Sequence, residues 1–194
     1  MAKDNFLYFP AAATGGLLVG KAAQPEGETT DDWFSKKKAV ELNSWQFAVT
    51  QAHTSGSGTT GSAAGKAKFE KIVIEKDVDQ ATSPLFAACA AGAHYPDIMI
   101  IVRKPGGSNL LFLQFIFMQV YVTKCGWNGG SGEENPKESI EFTFGAMGMQ
   151  YIQQLGTGAE GKKMIGLWST TANNNTLTVP AGTAAPPWLD GSQA

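Results

Sequence analysis

The chain has 194 residues, a formal net charge of −2 and 43% apolar residues. That length suits one domain with a real core, and the near-neutral charge argues against a nucleic-acid binder. Twenty-three glycines, placed mostly between apolar runs, favour a fold of many strands and turns over one of many helices.

Residues 5–9 (Asn-Phe-Leu-Tyr-Phe) form a β-prone run stopped by Pro10. No basic-then-apolar leader precedes it, so synthesis in the cytoplasm without a signal peptide is expected. Residues 11–28 are rich in Ala and Gly and predict a loop. Lys36, Lys37 and Lys38 follow Asp31 and Asp32, and the pattern predicts a solvated face rather than a phosphate site. Residues 40–51 predict a strand whose phase slips near Asn43-Ser44, as a bulge would cause. The Gly/Ser-rich stretch 52–65 predicts a long flexible loop, and a loop of that length is usually functional or disordered.

Residues 67–78 predict a strand with Ile72 and Ile74 on one face and Phe69 and Val73 on the other. One helix follows, with Ser83 as N-cap, Pro84 at its first helical position and Gly92 as its stop. Leu85, Ala88 and Cys89 form one stripe and Phe86 and Ala90 the opposite flank, so the helix expects cover on more than one side. A strand over 97–103 and a Pro-Gly-Gly turn lead to residues 110–122, where eleven of thirteen residues are apolar. As a strand, this run places Leu111, Leu113, Phe115 and Phe117 on one face and Phe112, Ile116, Met118, Val120 and Val122 on the other. Both faces need cover. A helix of the same chain, a neighbouring subunit, or both could supply it, with Leu85, Ala88, Ala90, Phe115 and Phe117 as the candidate subunit interface.

Residues 124–137 predict a loop. Ile140, Phe142 and Phe144 alternate as a strand, Met147, Met149 and Tyr151 continue with shifted parity, and 163–170 predict a last strand. The Pro-rich segment 175–194 predicts an extended or disordered tail. No apolar run is long enough for a membrane-spanning helix, so no membrane insertion is expected.

The sequence offers little chemistry. His53 and His94 stand apart, and no metal-ligand spacing is present. Gly56-x-Gly58-x-x-Gly61 matches a dinucleotide fingerprint in form but opens no helix. Cys89 and Cys125 lie far apart in unlike contexts and predict reduced thiols. No catalytic, cofactor-binding or metal residue is assigned, and no enzyme activity is expected.

In order and spacing, several segments resemble the haemolysin-coregulated proteins (Hcp) of type VI secretion. The strongest begins at Gly65-Lys66-x-x-Phe69 and runs through Asp79-x-x-Thr82-Ser83-Pro84-Leu85-Phe86, Cys89, Gly92 and His94-Tyr95-Pro96 to Ile101-Val102-Arg103-Lys104-Pro105-Gly106-Gly107. Gly27-Glu28-Thr29-x-Asp31-Asp32, Leu42-x-x-Trp45, Pro136-x-Glu138-x-Ile140-x-Phe142 and Gly166-Leu167-Trp168 add to it, so the likeness covers roughly residues 3–174. The longer loop 11–24, Phe47 where a second Trp is usual, and the tail depart from the pattern.

The resemblance implies a domain over 1–174, a small mainly-β barrel of two antiparallel sheets with one flanking α-helix. Such subunits would assemble as a hexameric ring, and stacked rings would form a secreted tube driven by a contractile sheath. Its partners would be copies of itself, sheath proteins, a spike protein at the tip and effector proteins in the lumen. By position, Thr29, Asp31 and Trp33 would lie at one stacking surface, Ser57, Gly58 and Thr59 at the other, and Gln46 in the lumen. A tail-tube protein of another phage-like injection system, or a standalone ligand-binding barrel, would share parts of this pattern.

Overall fold

The computed structural model describes residues 4–18, 23–51, 53–54, 63–64, 66–104, 111–131, 135–157 and 159–177. Strand β1 (Asp4–Tyr8) leads through a loop and a 3₁₀ turn (Ser35–Lys37) to three short strands, β2 (Val40–Glu41), β3 (Ser44–Gln46) and β4 (Val49–Thr50). The expected single strand over 40–51 is therefore broken twice.

Strands β5 (His53–Thr54) and β6 (Ala63–Ala64) pair with each other, and β4 pairs with β7 (Lys68–Phe69). Four residues of the stretch expected as a long flexible loop are thus paired as strands. Ser57, Gly58 and Thr59 lie outside the described residues.

Strand β8 (Ile72–Asp77) precedes helix α1 (Thr82–Ala91), which is followed by β9 (His94–Arg103) and the long β10 (Leu111–Asn128). Strands β11 (Lys137–Thr143), β12 (Ala146–Gln154) and β13 (Glu160–Ser169) complete the fold. Strand β10 runs on through 124–128, where the sequence predicts a loop. These residues stay in the sheet because each pairs with β11, from Lys124↔Glu141 to Asn128↔Lys137.

Nine strands form one antiparallel sheet in the order β2-β1-β9-β10-β11-β8-β3, forked at β10. Residues 113–118 of β10 pair with β12, whereas residues 121–128 pair with β11. One flank of β10 thus feeds two sub-sheets, β11-β8-β3 and β12-β13, which explains its unusual length. The expected closed barrel is not formed by the described strands. The ends of the path, β2 and β3, are instead consecutive in the chain. The backbone crosses between them where the Leu42 N–H donates to Asn5 O (2.9 Å) and the Asn43 N–H to Glu75 O (2.8 Å).

Two clusters cover the two faces. The main one joins Leu7, Ile72, Ile74, Ile98, Ile100, Phe142 and the Leu85–Ala88 face of α1. The second contains Phe6, Phe34, Met99, Ile101, Ile116 and Met118. Phe115 and Phe117 share the main cluster with Val120 and Val122, so the faces expected for this strand exchange partway along. The cause is Gln119, whose φ of 53° inserts an irregular step and shifts the two-residue alternation by one.

Helix α1 starts earlier than expected. Its N-cap is Ala81, not Ser83, and no side chain caps it directly. Asp79 accepts the Ala81 N–H (2.9 Å), and the Thr82 hydroxyl accepts the Asp79 N–H (3.2 Å), fixing the turn upstream. Gly92 ends the helix as expected, in the left-handed conformation at φ 65° that favours glycine.

Candidate assembly surfaces

The loop before the 3₁₀ turn is held by one cation. Asp4 binds the Arg103 guanidinium at 2.8 Å, and Asp31 binds the same nitrogen. The guanidinium lies 5.5 Å from the Phe6 ring centre and 5.4 Å from that of Phe34, and these two rings stack at 3.8 Å. The other oxygen of Asp31 accepts the N–H groups of Trp33 (3.0 Å) and Phe34 (3.1 Å), turning the chain so that Phe34 is buried. The Arg103 hydrogen bond holds the Asp31 carboxyl below its usual range.

Thr29 is buried and donates to Glu41, while Trp33 stays 40% exposed beneath the Lys37 ammonium. The structure therefore gathers Thr29, Asp31 and Trp33 on one rigid loop. Beside it lies a cleft of about 330 Å³ lined by Asp4, Asp31, Glu41 and Arg103 among others. The cation there is already engaged by two of the carboxylates. Among the described residues no group of three His, Cys, Asp or Glu side chains could hold a metal ion.

The residues expected at the subunit interface separate into two kinds. Leu85, Ala88, Phe115 and Phe117 are at most 5% exposed and belong to the main cluster of their own chain. The cover that the two-faced strand needs thus comes from within the chain, and these four leave no surface for a second copy. Ala90 alone is exposed, on the flank of α1 that also carries Phe86. Phe86 meets Trp127 edge-on at 5.9 Å, and each is at least half exposed. Gln46 is exposed at the end of β3, between the half-buried Trp45 and Phe47.

Sequence reasoning found both strands of the β12–β13 hairpin but missed its exposed apolar face. Met149 and Tyr151 are each 41% exposed and Met164 is 54% exposed, whereas Gln150 between the first two is buried. Tyr151 pairs with Met164 and Met149 with Gly166, so the three apolar side chains share one face. That face continues the side of Met147, which lies in the main cluster. Buried Gln150 pairs with buried Gln114 across β10. The inverted alternation, polar inside and apolar outside, was the available signal. Among the described strands β13 pairs with β12 alone and so forms an edge of the sheet.

A mainly antiparallel β fold with one docked helix is shared with a solved type VI secretion protein. Residues 18–151, more than half of the chain, match the family described as "Type VI secretion system effector, Hcp". The solved "Structure of a type six secretion system protein" superposes with a TM-score of 0.75 at 26% identity, covering 89% of this chain and 99% of that one. The crystal structure of Hcp1 from Salmonella typhimurium gives a TM-score of 0.66 at 25% identity, covering 91% and 100%. Protein hcp1 of Pseudomonas aeruginosa is 29% identical over 96 residues, a stretch spanning 49% of this chain and 59% of that relative. The chain belongs to the Hcp family.

Proposed function

We propose that the chain is the tube subunit of a type VI secretion system. Copies assemble as a hexameric ring, rings stack into a tube driven by a sheath and tipped by a spike protein, and the lumen carries effectors. The observation that carries this reading is the match of residues 18–151 to the Hcp family, together with a fold shared along nearly the whole length of a solved type six secretion system protein and of Hcp1 from Salmonella typhimurium.

The exposed apolar face of Met149, Tyr151 and Met164 supports contact between neighbours, because such a face beside an open strand edge favours burial by a second chain. A contact between two different patches, repeated around a closed rotation, makes a ring. The flank of Ala90 and Phe86 is the other half of this candidate contact. The loop of Thr29, Asp31 and Trp33 serves one stacking surface, the segment of Ser57, Gly58 and Thr59 serves the other, and Gln46 faces the lumen. No helix among the described residues is long and apolar enough to cross a membrane.

Gel filtration and negative-stain electron microscopy of the purified chain test this. Six-fold annuli with an open pore are expected. A monomer at every micromolar concentration tried overturns the reading.

A further inference from the structure

The two cysteines, distant in the sequence, meet in the fold. Cys89 stands one helical turn after Leu85 on α1. Cys125 stands on β10 opposite Ile140, and its thiol donates to the Leu85 carbonyl at 3.8 Å. Both are half-buried free thiols packed on the main cluster. The contact of Phe86 with Trp127 fixes the same stretch of helix over the same stretch of strand. Burial, and then the charge and hydrogen bond of the neighbouring Cys89 thiol, push Cys125 up to about 12.

We infer that Cys89 and Cys125 form an oxidisable pair, which closes to an intramolecular disulfide when the chain meets a small-molecule disulfide such as oxidised glutathione. The Cys89 thiolate attacks one sulfur of that disulfide and releases one thiolate, leaving a mixed disulfide on Cys89. Cys125 then loses its proton to solvent, and its sulfur attacks the Cys89 sulfur and expels the second small thiol. Two protein thiols are oxidised, one small disulfide is reduced to two thiols, and the protons end on those thiols. Cys125 acts second because its proton is tightly held until the mixed disulfide forms beside it. The bond staples the helix to the far end of β10 and so stabilises the chain where thiols are not kept reduced. Only the oxidising compartment is borrowed from the tube reading; the chemistry is tested on the purified chain, whatever its assembly.

The full chain is incubated with oxidised glutathione at mildly alkaline pH without denaturant, then alkylated. The expected product has lost two hydrogens and takes up no alkylating reagent. Digestion yields a peptide joining Cys89 to Cys125, and dithiothreitol reverses the change. The oxidised chain melts at a higher temperature than the reduced one, and this rise is absent in Cys89→Ala and in Cys125→Ala. A glutathione adduct that persists on either cysteine of the native chain overturns the inference. So do two thiols that stay fully alkylatable in the native chain, or a joined peptide without any rise in melting temperature. Ring images decide the tube reading separately.

Discussion

Lys76 and Glu138 form an ion pair of 2.5 Å in which each side chain is only 1% exposed. The pair lies beneath the start of α1. Lys76 also binds Asp79, and Glu138 accepts hydrogen bonds from Thr82 (2.8 Å) and from the Trp127 indole (2.9 Å). Glu138→Ala leaves the buried Lys76 with Asp79 as counter-charge but strips Thr82 and the Trp127 indole of their acceptor, and is expected to cost about 2–4 kcal/mol. Glu141→Ala, which breaks the exposed pair with Lys71, is expected to cost no more than about 1 kcal/mol. Urea unfolding at fixed protein concentration compares the two, and equal midpoints would show that the buried pair holds nothing.

Gln119 and Gly145 limit each other. Gln119 sits at φ 53°, and a Cβ added to Gly145 would lie 2.3 Å from its amide oxygen and 3.2 Å from its own Cβ. The Gly145 N–H also donates to Met118 O (2.9 Å) and its carbonyl accepts from Thr170, so the backbone there cannot retreat freely. Gly145→Ala is expected to lose about 1–3 kcal/mol through overpacking. Gln119→Gly alone is expected to gain about 0.5–1 kcal/mol, because glycine adopts positive φ without strain. Shortening Gln119 also makes room at Gly145, so the double variant should lose less than the two single effects summed. A double-mutant cycle by chemical denaturation measures this coupling. Simple additivity would show that the contact is not felt.

Much of this architecture was legible from residue type and period. The helix boundary at Gly92, the strand around Ile140 and Phe142, and the need for cover on both sides of β10 all follow from local pattern. What escaped was decided by partners distant in sequence. The parity change at Gln119 depends on a backbone step that a polar residue in an apolar run does not announce. Lys76 shares a face with Ile72 and Ile74 and is buried only because Asp79 and Glu138 come to it. Cys89 and Cys125 meet only once α1 lies on β10. The candidate site was legible in part. Thr29, Asp31 and Trp33 gather on one loop, but the cation that holds them, Arg103, comes from another strand. Phe115 and Phe117 looked available to a partner because the amount of cover within the chain cannot be read from a single strand.

Asp97 gives the fold a pH dependence. It is 6% exposed on β9, opposite Met118 of the second cluster, and burial raises its pKa to about 6. The folded chain thus holds this proton more tightly than the unfolded chain, whose Asp titrates near 3.9. The contribution of Asp97 to stability is greatest below about pH 4 and falls as pH rises to about 6, by roughly 3 kcal/mol. Asp97→Asn removes the ionisation, so the variant should be more stable than the wild type at neutral pH and should lack that slope. Melting temperatures across this range, in both proteins, test the sign. A wild type that gains stability from Asp97 as pH rises would show the carboxylate to be paired.

The hairpin face separates assembly from folding. Met149 and Tyr151 are each 41% exposed in the single chain, so a carboxylate at either position stays solvated there and costs little. In a ring that buries this face the same charge would lose its water without a partner, a cost of several kcal/mol in each of the contacts around the ring. Met149→Glu and Tyr151→Glu are therefore expected to give folded chains, unchanged in far-ultraviolet circular dichroism, that run as monomers. Phe117→Glu places its charge in the main cluster, where the residue is fully buried, and should abolish folding itself. Ala90→Arg tests the opposite flank, and if α1 faces the neighbour's hairpin it should also yield folded monomers. Intact rings from Met149→Glu and Tyr151→Glu would move the neighbour contact off the β12–β13 hairpin. Rings lost only together with the fold would leave that face without a role of its own.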